Sequence, residues 1–489
     1  MKMDLMAGLT GCAALAAILP ACQSSSEAPR PNVILVMADD MGYGDVWFTG
    51  NTVVRTPCLD ALSAEGVRLD RFYAGAPLSS PTRASVLTGR NPFRTGVYSA
   101  NVGILRPEEI ALPELLGDAG YRTGHFGKWH LGTLTYTETD ANRGRPGNTA
   151  LYNPPSEHGY DVAFVTESKV PTYDPMLRPA DCDGRFWDYM PDHYDAVQYG
   201  TAYWDIDGNK VTEGLEGDDS KVIMDRVIPF IYDSVKEGEP FFAVVWFHAP
   251  HLPCVAGPEY ADMYRDLPLK DRNYYGCISA LDAQVGRLVE ELKRLGIYDN
   301  TLLAFCSDNG PELQTPGSAG PFKGKKRSLH EGGLRVPSFV LWPGGLPSGT
   351  RNDVCCSTCD YLPTILDILD ISYPDNRELD GQSILPLLKG KRFTRTSPLA
   401  FCSARQGAYI KGRYKLYFEK GVYELYDLQE DPFEKEDVST SHPDILEKMK
   451  KALFEELASF KGSFEGNEYG RESYDRLGQE WWDVTSIKE

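Results

Sequence analysis

Short runs of consecutive apolar residues recur along this chain, and each closes on polar or charged residues. Residues 32–38 (NVILVMA) end in Asp39-Asp40, residues 241–247 (FFAVVWF) in His248-Ala249-Pro250-His251, and residues 301–306 (TLLAFC) in Ser307-Asp308-Asn309-Gly310. Apolar runs of this length without alternation predict strands covered on both faces. Between the last two, Ile278, Leu281, Val285, Leu288, Leu292 and Leu295 repeat at helical spacing. Strand and helix patterns in alternation predict an α/β fold, a mostly parallel sheet covered by helices. All three strands deliver metal-competent or titratable side chains at their carboxyl ends, the edge of such a sheet where ligands bind.

The texture changes near residue 395. Beyond 399 short alternating segments (YIKGRYKLYF, VYELYDL) precede a charged helical stretch from about 443 to 460. They predict a small antiparallel sheet with a helix, giving a large α/β domain over 31–395 and a C-terminal subdomain over 396–489. Residues 136–218 are rich in Tyr, Trp, Asp, Pro and Gly with little periodicity, and a long irregular stretch inside a compact fold is usually functional or disordered. At the start, residues 1–22 (MKMDLMAGLTGCAALAAILPAC) read as a secretory signal, with Leu19-Pro20-Ala21-Cys22 resembling a bacterial lipobox. A plain cleaved signal is the simpler alternative. The polar residues 23–30 then form a tether, and the expectation is an exported protein, periplasmic or outer-membrane, whose only membrane attachment is a lipid on Cys22.

Composition narrows the partners. Across 489 residues the net charge is −20, which argues against nucleic acid or an anionic membrane surface. An anionic substrate stays open if its pocket is basic, because distant charge is screened beyond roughly 8 Å at physiological salt. The nine cysteines after Cys22 are scattered, not dense as in a disulfide scaffold, and Cys356-Ser357-Thr358-Cys359 lacks a second ligand pair.

The run 75–90 (GAPLSSPTRASVLTGR) carries the sharpest signal. Pro81 suits the first position of a helix, with Ser80 as its cap and Ser79 just outside, facing the unpaired amides of the first turn. Arg83 can lean back over the same spot. The plain alternative is that both serines only cap.

Ser79-Ser80-Pro81-Thr82-Arg83 followed by Leu87-Thr88-Gly89-Arg90 resembles the signature of the formylglycine-dependent sulfatases of the alkaline phosphatase superfamily. Further blocks resemble the same family in the same order: ADDMGYGD (38–45), GKWHLG (127–132), APHLP (249–253), SDNGPE (307–312) and LHEGGLRVP (329–337), with weaker matches at 158–161, 379–390 and 424–434. The resemblance covers nearly all of the chain beyond the leader. It implies an alkaline-phosphatase-like fold with a large mixed sheet, and a serine-type bacterial member. In that family the residue at position 79 is oxidised by a separate maturation enzyme, by an anaerobic route in the serine type, to the aldehyde formylglycine. One hydroxyl of its hydrate attacks sulfur, and the other drives collapse to the aldehyde and expels sulfate. A bare serine would leave a sulfate ester needing a second difficult hydrolysis.

Motif positions imply the rest of the site. Asp39, Asp40, Asp308 and Asn309, with the residue at 79, would hold a cation, and an all-oxygen donor set favours Ca2+ over Mg2+. Asp-Asp and Asp-Asn at strand ends are also ordinary turn chemistry. Arg83, Lys128 and His130 would clamp the sulfate, and His251 fits the leaving-group histidine better than His248. Among Lys323, Lys325 and Lys326, the resemblance implies Lys326, since the family places this lysine five residues before the glutamate at position 331. Lys or His beside the bridging oxygen would protonate the departing alcohol. The implied substrate is a sulfated carbohydrate, from glycosaminoglycan, mucin or algal glycan, and Trp187, Tyr189, Tyr194, Tyr203 and Trp204 could stack on its rings or pack the insert onto the sheet. Phosphodiester or phosphonate monoester hydrolysis is the alternative within the superfamily. Ligands for one metal are evident, whereas two-metal phosphatases need a second set. A non-catalytic glycan-binding lipoprotein on the same fold is the other alternative.

Overall fold

The computed structural model describes residues 30–470, 480–485 and 487. The expected signal and lipobox, Cys22 included, and all of the tether but residue 30 lie outside them. Among the described residues no helix is long and apolar enough to cross a membrane.

The main sheet has ten strands. In chain order they are β1 (Asn32–Ala38), β2 (Val67–Leu69), β3 (Arg122–Lys128), β4 (Val162–Thr166), β5 (Tyr203–Asp205), β6 (Lys210–Val211), β7 (Phe241–Trp246), β8 (Thr301–Ser307), β9 (Phe339–Leu341) and β10 (Thr350–Asn352). Their spatial order is β6-β5-β4-β3-β7-β1-β8-β9-β2-β10. The centre, β4-β3-β7-β1-β8, is parallel throughout, and β5, β6 and β9 bring the antiparallel pairings that make the sheet mixed.

Strand β1 shows why its sequence lacks alternation. Val33, Leu35 and Met37 enter the core on one face of the sheet, and Ile34, Val36 and Ala38 enter the core on the other. Helix α1 (Ser79–Thr88) serves the first face; α2 (Asp219–Glu237) and α3 (Leu269–Arg294) cover the second. The predicted stripe lies on α3, where Ile278, Leu281, Val285 and Leu288 have no exposed surface. At about 25 cal/mol per Å2 of apolar area removed from water, such a stripe secures the helix far more than its propensity does.

The stretch 136–218 is less irregular than its composition suggests. It supplies β4, β5 and β6, the whole of one sheet edge, and a separate hairpin of Leu177–Pro179 with Ala196–Gln198. Tyr203, Trp204 and Trp187 are buried, and Tyr203 stacks on Phe164 at 4.1 Å. Tyr203 and Trp204 pack the insert into the two cores of the sheet.

At the other end β11 (Leu399–Ser403), β12 (Gln406–Lys411), β13 (Tyr414–Glu419) and β14 (Val422–Asp427) form a four-stranded antiparallel meander. Helix α4 (Pro443–Phe464) lays Met449, Leu453, Leu457, Phe460 and Phe464 against one face. The opposite face packs Phe401, Ile410 and Tyr417 against Tyr73, Leu329 and Leu334. A buried ion cluster pins that junction: Lys415 Nζ lies 2.9 Å from both Glu331 and Glu434. All of the described cysteines are free, Cys356 and Cys359 among them.

Candidate functional site

Strand order creates the site. Since β3, β7, β1 and β8 are parallel neighbours, Lys128, the 247–251 segment, Asp39-Asp40 and Asp308-Asn309 emerge side by side at one edge. Helix α1 starts at the same edge. It begins at Ser79 itself, so the expected cap is corrected: Leu78 holds the N-cap position, and the buried Ser80 Oγ has no hydrogen-bond partner among the described residues. The Thr82 hydroxyl instead ties the helix to the loop before it, accepting from Ala76 N and donating to Ala76 O.

Ser79 Oγ donates to Asp39 Oδ1 at 3.1 Å and to Asn309 Oδ1 at 3.4 Å. Arg83, one helical turn on, donates to Asp308 Oδ2 at 2.9 Å, lies 3.6 Å from Asp39, and stacks its guanidinium over Trp246 at 4.9 Å. Lys128 Nζ donates to Asp39 Oδ2 at 2.6 Å. On the far side Asn309 Nδ2 and Lys326 Nζ each donate to Asp40 at 2.7 Å, and His251 Nε2 lies 3.5 Å from Asp40 Oδ2. His130 Nε2 shares the Asn101 Oδ1 acceptor with Asn142 Nδ2, at 2.8 Å and 2.9 Å, and Nδ1 has no partner among the described residues. All ten residues singled out from the sequence thus gather in one place. His248 does not join them, because Asp219 and Thr166 bind its two nitrogens. Lys325 and Lys323 turn away to Gly317 O and Tyr426.

The backbone is strained where it matters. Asp40 and His130 hold φ of 65° and 62°, conformations that non-glycine residues keep only when their surroundings enforce them. Gly310 lets the loop after Asn309 pass against Gly332, whose carbonyl oxygen would lie 2.0 Å from an added Cβ.

Charge at the floor is crowded. Burial would raise Asp39, but Lys128, His251 and Arg83 outweigh it and hold the carboxyl well below its usual range. Asp308 goes the other way, pushed up to about 7 by burial and then by Asp39. Burial, followed by Lys128, keeps His130 well below an ordinary histidine. Three buried carboxylates thus lie close together, Asp39 and Asp40 held low by the cations around them and Asp308 driven toward its neutral form by burial and Asp39. Carboxylate and amide oxygens with an imidazole at the margin fit a hard divalent cation. Asp39, Asp40 and His251 present donor atoms within 4.8 Å of one another, while both Asp308 oxygens accept from protein groups, Arg83 and Asp40 N.

Above this floor opens a cavity of about 630 Å3, within the range of about 300–1,000 Å3 usual for small-ligand sites. Ser79, His130, His251 and Lys326 line it, together with Asn101, Lys169, Glu312, Gln314 and the β11–β12 turn through Ser403, Ala404 and Gln406. No short motif announces this second group, because walls built from separate loops leave no fixed spacing to read. The aromatics of the insert do not line it.

Comparison with known proteins agrees with this geometry. The family profile described as Sulfatase matches residues 31–371, and one described as N-sulphoglucosamine sulphohydrolase, C-terminal, matches residues 320–461. N-acetylgalactosamine-6-sulfatase of Canis lupus familiaris is 32% identical over 432 residues, 84% of this chain and 76% of that protein. Arylsulfatase G of Rattus norvegicus is 32% identical over 395 residues, covering 76% and 70%. Among solved structures, Ps i-CgsB in complex with k-i-k-neocarrahexaose superposes with a TM-score of 0.75 at 29% identity, covering 87% of this chain and 92% of that one.

Proposed function

The chain belongs to the sulfatase family, and from that premise we propose that it removes sulfate from a sulfated carbohydrate, with Ser79 converted to formylglycine and a Ca2+ ion at the floor of the site. One observation carries this reading: Ser79 Oγ meets Asp39 and Asn309 at the start of a helix whose Arg83 points back to the same carboxylates. The N-acetylgalactosamine-6-sulfatase relative supports a sugar sulfate as substrate.

In this reading Asp39, Asp40, Asp308 and Asn309 hold the cation, which when bound acidifies the nucleophilic hydroxyl and polarises a sulfate oxygen. Formed from Ser79, an aldehyde hydrate would supply one hydroxyl for the new bond to sulfur as the S–O bond to the sugar breaks, and a second whose loss of a proton would restore the C=O bond as the C–O bond to sulfate breaks. Arg83 and Lys128 orient the residue at 79 and balance the sulfate charge in a water-poor floor, where such interactions are strongest. His130, fixed through Asn101, bounds the sulfate on its open side. Lys326 and His251, both beside Asp40, deliver a proton to the departing sugar oxygen. Maturation falls to a separate enzyme, and the leader through Cys22 places the protein outside the cytoplasm on a lipid anchor.

The test is sulfate release from a panel of sulfated mono- and disaccharides, with matured protein and Ser79→Ala side by side. Release lost in Ser79→Ala, and a peptide around position 79 lighter by a pair of hydrogens, are expected. An unmodified serine in fully active protein would overturn the formylglycine step.

A further inference from the structure

The cationic side chains around the cavity are matched with one exception. Arg83 is bound to Asp308, Lys128 to Asp39, Lys326 to Asp40, and Arg327 to Glu312 at 2.9 Å. Lys169 also lines the cavity, yet among the described residues no carboxylate lies within ion-pair distance of its ammonium and no acceptor takes a hydrogen bond from it. The lysine is half-buried and its backbone is fixed on both sides. Glu167, two residues before, is fully buried in an ion pair with Arg143 at 3.0 Å; Ser168 Oγ accepts from Asn142; Val170 is buried. A lysine free to choose would turn its head to water. This one lines the cavity instead, in the field of Lys326, Asp40, Asp39 and Glu312, where burial and then Lys326 lower the affinity of its amine for a proton. An unmatched, partly desolvated ammonium is costly until an anion arrives.

The scissile sulfate is not that anion, since its place at Ser79 is served by Arg83 and Lys128 at the floor. We propose that Lys169 is a specificity residue that binds a second anionic group of the substrate, a sulfate or carboxylate carried on the same sugar or its neighbour. The inference rests on the sulfatase reading above and names its substrate class: saccharides with at least a pair of negative charges.

Binding to Ser79→Ala protein, which does not turn over, tests this by calorimetry. The probes are glucosamine and galactosamine, each as the 6-sulfate and as a disulfate, with a sulfated uronate disaccharide. The expected result is tighter binding of a doubly charged probe than of its singly charged counterpart. That preference should fall roughly tenfold or more in Lys169→Gln and persist in Lys169→Arg, with all variants melting together. Equal weakening of both probe classes, no weakening, or no preference for any doubly charged probe would overturn the proposal. Selective binding in a matured protein that releases no sulfate would overturn the functional reading and leave the Lys169 subsite standing.

Discussion

Lys128 Nζ and Asp39 Oδ2 meet at 2.6 Å, with neither side chain open to solvent beyond 1%. The pair joins the carboxyl ends of β3 and β1 and sets the charge beside Ser79. Its ammonium is harder to protonate than a surface lysine's because of burial, with Asp39 opposing. Breaking such a pair from one side leaves a buried charge uncompensated.

Lys128→Met should therefore cost activity and stability together. A loss of about 100-fold or more in kcat is expected from removing a charge aimed at the reacting group, with about 3–5 kcal/mol of stability lost. Steady-state kinetics and urea unfolding read the two effects. Unchanged kcat would remove Lys128 from the reaction.

Withdrawing divalent cations should stop turnover and lower the melting temperature. Ca2+ restored at about a hundred times its Kd would return ~2.7 kcal/mol. In Asp40→Asn the calcium-dependent shift should shrink. Identical melting curves with chelator and with Ca2+ would exclude a cation from the floor.

Much of this site is legible in sequence because its chemistry sits directly after buried parallel strands. Covered on both faces, β1, β7 and β8 announce themselves as unbroken apolar runs, and the residues that follow them are next-door in space. The α3 stripe reads equally well. The three-residue β5 and two-residue β6 cannot be read, as their partners, not their own pattern, make them strands. Ser80 misleads because serine before proline resembles a cap, while the backbone turns helical at Ser79, two residues before Pro81. Lys169 carries no motif at all; its meaning lies in what the fold fails to place beside it.

Glu434 predicts an acid limb of stability. Burial would raise its carboxyl, but Lys415 and His330 outweigh that and hold it down to about 2, from an ordinary 4.5. Because the folded value is the lower one, the stabilisation is complete above about pH 4.5 and is lost as pH falls through about 2, ~3 kcal/mol at most. Urea midpoints between about pH 5 and pH 2.5 should fall more steeply for the native chain than for Glu434→Gln. Parallel curves would assign the acid limb to other carboxyls.

Gly310→Ala should be costly out of proportion to its single methyl. An added Cβ would lie 2.0 Å from Gly332 O and 2.9 Å from Gly333 Cα, backbone that can only shift. Overpacking of this kind costs about 1–3 kcal/mol, and here the displacement falls next to Asn309. Thermal melting and Ca2+ titration of the variant should both be impaired. A variant with native melting and native Ca2+ affinity would show that the loop relaxes freely.

The β11–β12 turn, Ser403 to Gln406, forms part of the cavity wall although it lies far along the chain from Ser79. Gln406 fastens it there, accepting from Leu329 N and Tyr417 Oη and donating to Arg327 O. Ser79 and the hairpin therefore face one cavity from separate stretches of polypeptide, one rooted beside the parallel sheet and the other in the meander. Rebuilding that hairpin would reshape one wall of the cavity and leave the residues at the strand ends where they are.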